Sequence, residues 1–157
     1  MRIPLRRLAA MVALAASALS GPAQWAWPVA APHPVARPFV APASVYGAGH
    51  RGVDIRAPAG SVVRAPADGV VHFAGFVVDR PVLSITHAGG VISSFEPVTT
   101  SLVAGDAVRR GQVIGTLLAG HCASPCLHLG ARVNGVYVNP LLFLGDVPRA
   151  VLLPVRR

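Results

Sequence analysis

The chain contains no lysine: all fourteen basic residues among its 157 are arginine. Chemistry that tethers a cofactor to a lysine amine is therefore excluded. Acidic residues number six, and aromatics make up only 6%. With the arginines scattered and the aromatics few, the chain is a poor fit to nucleic acid and no such partner is expected. The apolar stretch Leu8 to Leu19 is twelve residues long, too short to span a membrane as a helix. Cysteine occurs twice, as Cys122 and Cys126. Sustained helical periodicity is absent, and short Val- and Ile-rich runs broken by Gly, Pro and Asp take its place. Such runs argue for an all-β domain.

Residues 1–20 read as a secretory signal. Arg2, Arg6 and Arg7 form a basic start, the apolar stretch follows, and Ala18-Leu19-Ser20 is a small-residue exit. An uncleaved N-terminal anchor is the other reading, and only then would the chain touch a membrane. Either way the protein is expected to be exported, secreted or held in the cell envelope. Residues 21–40 are rich in Pro and Ala and read as an extended linker, with Trp25 and Trp27 expected to pack on the domain or sit near the membrane surface and His33 solvated. A domain is expected over 41–145 and a tail over 146–157. Setting aside the three signal arginines leaves eleven against six acids, a net of about +5. That charge suits a polyanionic envelope or an anionic lipid surface.

Within the domain the expected strands are Val62–Ala65, Val70–Phe76, Pro81–Thr86, Val91–Glu96, Val113–Leu118, Cys126–Val133 and Val136–Val138. Asp68-Gly69 and Asn134-Gly135 are tight-turn signals, and Ala88-Gly89-Gly90 turns the chain after His87. A weak internal echo relates Ala59-Gly60-Ser61-Val62-Val63-Arg64 to Ala104-Gly105-Asp106-Ala107-Val108-Arg109. Both copies lead into a turn and an apolar strand, which fits a barrel-like sheet sandwich. Domains that carry biotin or lipoate share this pattern, but they need a lysine.

One segment stands apart chemically. Gly49-His50-Arg51-Gly52-Val53-Asp54 is answered seventy-four residues after Asp54 by Leu127-His128. Residues four apart on an extended strand are roughly 13 Å from each other, too far to share an ion. Gly52 is expected to bend the chain so that His50 and Asp54 converge. His128, arriving on another strand, would complete three protein ligands, the pattern of a catalytic zinc with water in the fourth position.

The motifs from about Ala41 to Gly145 resemble those of the lysostaphin/LytM-type zinc metallopeptidases, metallopeptidase family 23. The resemblance runs through Gly49–Ile55, Ala57–Val63, Ala67–Val71, Val82–His87, Gly105–Gly115 and Asn134–Pro140, in the family's order. It implies an antiparallel barrel-sandwich, one Zn2+ per chain held by His50, Asp54 and His128, and action on peptide cross-links of peptidoglycan. Other cell-wall hydrolases are conceivable partners.

The resemblance also exposes a gap. Two auxiliary histidines normally orient the water and stabilise the oxyanion. Their positions here hold Pro97, two residues after Phe95, and Cys126, two before His128. His121, in the loop before Cys126, is a candidate replacement. Glu96 is another, although strand alternation is expected to point it away from the site. His72 and His87 read as surface or turn residues. Cys122 and Cys126 are expected to form a disulfide in an exported protein. The rival reading makes Cys126 a fourth zinc ligand in a closed structural site. Two functions remain open: a zinc endopeptidase of weak or altered activity, or an inactive peptidoglycan-binding or hydrolase-regulating module that keeps the zinc site.

Overall fold

The computed structural model describes residues 25–44 and 46–145. The expected signal segment over 1–20 and the tail over 146–157 lie outside the described residues. Eleven strands follow in chain order: β1 (Val35–Arg37), β2 (Gly52–Arg56), β3 (Val62–Arg64), β4 (Gly69–Val77), β5 (Arg80–His87), β6 (Val91–Glu96), β7 (Val98–Thr99), β8 (Ala107–Val108), β9 (Val113–Leu117), β10 (Cys126–Val133) and β11 (Val136–Val138). One helical turn, α1 (Leu141–Leu144), closes the described chain. The expected all-β class is what the structure shows.

The larger sheet runs β1-β2-β10-β6-β5-β4-β8, with β11 beside the second half of β10; the smaller runs β3-β9-β7. Every pairing is antiparallel. Ile55, Leu83, Ile85, Phe95 and Leu129 of the larger sheet and Val63, Val98, Ile114 and Leu117 of the smaller are buried in one core. Alternation along β6 and β10 follows from this: Phe95 and Leu129 pair across strands and face the core, so Glu96 and His128, the next pair, face the other side.

Asn134 and Gly135 make the β10–β11 turn with φ of 50° and 82°, as that dipeptide promises. Asp68-Gly69 does not form a tight hairpin. The bend lies over 66–68, where the chain passes from one sheet to the other, and Gly69 already belongs to β4. Its lack of a side chain serves close packing, since a Cβ there would lie 2.5 Å from the Thr86 carbonyl oxygen.

The linker expected over 21–40 needs correction for its described part. Trp25 is only 4% exposed, stacked on Phe143 with ring centroids 4.6 Å apart and 5.2 Å from the His87 ring. Val35–Arg37 adds an edge strand to β2, and Pro34 supplies the carbonyl that the Arg56 N–H donates to. Proline is compatible with an edge, where missing donors leave nothing buried unpaired. His33, expected to be solvated, stacks on Trp27 at 4.4 Å with rings 5° from parallel and meets the Val29 carbonyl at 3.0 Å.

Candidate metal centre

Asp54 lies in β2 directly opposite His128 in β10, and its carboxylate is buried. His50 sits just before β2, fixed by two backbone hydrogen bonds with Val40, of 3.0 and 2.8 Å. The chain bends at Arg51, between that bridge and the strand. Gly52 does not make the bend, contrary to expectation. It is a regular strand residue whose added Cβ would lie 2.3 Å from the Leu129 carbonyl oxygen and 2.5 Å from His128 Nε2. The glycine leaves room for the His128 ring.

Four donor groups converge. Asp54 Oδ1 is 2.7 Å from His128 Nδ1, 3.1 Å from His50 Nε2 and 3.1 Å from His121 Nε2; His50 Nε2 and His128 Nδ1 are 3.1 Å apart. One ligand atom from each of the four residues lies within 4.8 Å of every other. The structure thus brings His50, Asp54 and His128 together as the sequence anticipates, and adds His121.

The His50 ring shows what such a centre needs. Its Nδ1–H donates to the Pro38 carbonyl at 2.7 Å, which leaves the Nε2 lone pair facing a carboxylate oxygen and another ring nitrogen. An imidazole lone pair this close to a carboxylate oxygen and a second ring nitrogen favours a proton or a metal cation shared among them. Tetrahedral zinc with bonds of about 2.0–2.1 Å sets its ligands about 3.3 Å apart, close to these separations. A backbone carbonyl behind a histidine ligand is also the usual outer support of zinc sites. The donor set fits zinc. Burial pushes the Asp54 carboxyl up, but the His128 hydrogen bond and the charges of His128, His50 and His121 outweigh it and hold it below the ordinary value. The carboxylate is therefore ready to ligate.

His121 enters from the loop before β10. Its Nδ1 is 3.0 Å from Arg80 Nη1 and 3.4 Å from Glu96 Oε1. Because the guanidinium donates to Nδ1, the ring proton sits on Nε2, aimed at Asp54. Burial, then repulsion from His128, lowers the His121 pKa, which favours the neutral ring. Glu96 was expected to point away from the site. It points toward it, because Phe95 occupies the core face and alternation turns its neighbour onto the His128 face.

Cys122 and Cys126 are joined as a disulfide with Cα atoms 5.9 Å apart. With its sulfur in that bond, Cys126 offers no thiolate, so the closed four-ligand alternative does not form. The bridge ties the His121 loop to the first residue of β10. Pro97 is buried past the end of β6, outside the four-donor cluster. His72 is exposed on β4. His87 is a structural residue, with Nδ1 2.8 Å from the Asp68 carbonyl and Nε2 2.7 Å from Ser93 Oγ.

Residues 48–140 match the model of Peptidase family M23. The chain belongs to that family. An uncharacterized protein of Mycobacterium bovis is 40% identical over 141 residues, 85% of this M23 chain and 57% of its own length. The DD-carboxypeptidase/endopeptidase Mpg of Neisseria meningitidis is 40% identical over 94 residues, covering 59% of this chain and 22% of that protein. The M23 chain thus spans about half the length of the mycobacterial relative. Among solved structures, a putative peptidase M23 from Pseudomonas aeruginosa superposes with a TM-score of 0.60 at 28% identity, over 82% of this chain and 53% of that one. The catalytic domain of lysostaphin from Staphylococcus simulans shares the fold, with a TM-score of 0.63 at 23% identity over 73% and 93% of the two chains.

Proposed function

We propose that this M23 chain is an exported zinc endopeptidase that cuts peptide cross-links of peptidoglycan, slowly compared with relatives that keep both auxiliary histidines. His50, Asp54 and His128 hold the metal, one ion per chain. Zinc in that position supplies Lewis acidity toward a scissile carbonyl and an activated water. The observation that carries the reading is the convergence of His121 on the same centre, since its Nε2–H is the side-chain donor that Pro97 and Cys126 do not supply. Arg80, donating to Nδ1, fixes its tautomer. One donor stands where two are expected. Loss of an oxyanion donor costs about a hundredfold to a thousandfold in rate, which sets the scale of the deficit.

A second reading rests on one specific feature. Pro97 and disulfide-bonded Cys126 leave both auxiliary positions without a proton to give. On that reading the chain binds peptidoglycan, or regulates another hydrolase, and keeps the metal for structure. Digestion of purified peptidoglycan by the zinc-loaded mature protein, with products identified by mass spectrometry, separates the two. Released peptides cleaved at a cross-link, abolished by chelation and restored by zinc, support the peptidase. Binding without any new peptide end, in protein that carries its zinc, supports the module.

A further inference from the structure

Arg37 and Arg56 flank the centre, and neither guanidinium has a hydrogen-bond or ion-pair partner among the described residues. Both line a cleft of about 310 Å³ together with Asp54 and His121. Arg56 is two residues past Asp54 in β2 and so shares its face. Arg37 reaches the same face through a specific irregularity. Val35 pairs with Ile55, but Arg37 pairs with Asp54, so β1 carries one extra residue at Ala36. Without that bulge Arg37 would stand opposite Val53, a core residue. Bulges beside functional sites commonly re-aim a side chain in this way. Residue 37 also precedes the family-matched span of 48–140.

We infer that Arg37 and Arg56 form a carboxylate-binding subsite, which selects peptides bearing a free carboxylate next to the amide presented to the metal centre. The inference rests on the peptidase reading for the role of that amide, but the binding chemistry stands independently. Guanidinium groups pair with carboxylates through parallel N–H donors, and two unpaired arginines in one cleft offset the repulsion that Asp54 alone would exert on an anion. Arg56 also borders a larger, mainly apolar groove of about 600 Å³ lined by Pro32, Pro34, Ala57, Pro58 and Pro125. A peptide anchored by its carboxylate at Arg37 and Arg56 has there a surface for its apolar part. In peptidoglycan stems the carboxylate comes from the C-terminal D-alanine, the γ-linked D-glutamate or the diamino acid.

The test is an NMR titration of the zinc-loaded chain with a synthetic stem tetrapeptide, which also reports any cleavage. The peptide is used with all carboxylates free, with all amidated, and with each amidated singly. Zinc content is measured on every protein sample. The free-acid peptide should bind about tenfold to a hundredfold more tightly than the fully amidated one, as expected for charge-assisted hydrogen bonds. A single amidation should reproduce most of that loss and so identify the carboxylate. Arg56→Gln and Arg37→Gln should each reduce the preference while retaining zinc. Equal affinity of the wild-type chain for acid and amide, or a preference untouched by both substitutions, overturns the subsite. A preserved carboxylate preference in protein that binds no zinc leaves the subsite standing and removes the peptidase reading.

Discussion

His121 changes what the metal centre can do. On the proposed reading three ligands hold an ion, but hydrolysis also needs a donor aimed where negative charge develops. His121→Ala should therefore leave one zinc per chain while lowering peptidoglycan cleavage by about a hundredfold or more. His50→Ala should instead lose the metal. Elemental analysis and product release on the same samples read both effects. If His121→Ala cuts as fast as wild type, the donor lies elsewhere; if it sheds the metal, His121 is a ligand first. The His121 position was legible as a loop neighbour of the Cys126 strand, but its contacts were not. They come from Asp54 and Glu96, 67 and 25 residues away in sequence, and from Arg80 at the tip of the β4–β5 hairpin. The facing of Glu96 was misjudged for a related reason. Alternation was applied correctly, but which face held the core could be decided only by the partner strand, where Leu129 lies opposite Phe95.

Strands rich in Val and Ile announced themselves, and β6, β10 and β11 keep the bounds their composition suggests. β1 did not, because three exposed residues between prolines carry no alternation, and its pairing partner is what makes it a strand. β2 was read as a motif and not as an element: Val53 and Ile55 alternate with Asp54 and Arg56, but Gly52 to Ile55 are all buried, Asp54 included. That burial gives the β2–β10 pair its own prediction. Gly52 pairs with Gly130, and the space of its missing side chain is filled by the His128 ring. Gly52→Ala should push that ring off the centre, lowering zinc affinity as well as stability. Overpacking of this kind costs about 1–3 kcal/mol. Zinc competition titrations and thermal melts of the metal-free and metal-loaded protein measure the two effects. A variant with wild-type zinc affinity would show that β2 can shift outward without moving His128, and that the glycine serves the backbone alone.

On the scale of the whole molecule, the question is where the folded unit begins. The family-matched span starts at residue 48, yet the segment before it is built into the structure at three points. Trp25 fills a buried site between Phe143 and His87, its backbone N–H donating to the Phe143 carbonyl at 2.8 Å. β1 covers the edge of β2 that would otherwise stand open beside the metal centre. Pro38 accepts the His50 Nδ1–H and so fixes which nitrogen faces Asp54 and His128. The segment is thus a strap whose two ends serve the core and the metal site. Removing a buried tryptophan costs about 3–5 kcal/mol, a large part of the 5–15 kcal/mol that holds a typical domain together. Trp25→Ala should therefore lower the melting temperature strongly while leaving zinc binding of the folded protein near normal, because the tryptophan packs on Phe143 and His87 and not on the metal-centre residues. A chain starting at Ala41 should show both losses, since it also gives up the Pro38 carbonyl and β1. Comparing melting temperature and zinc affinity for the wild type, Trp25→Ala and the shortened chain reads the two ends separately. A shortened chain that melts and binds zinc like the wild type would reduce the strap to a passenger, and the domain boundary expected near residue 41 would then mark the start of the folded unit.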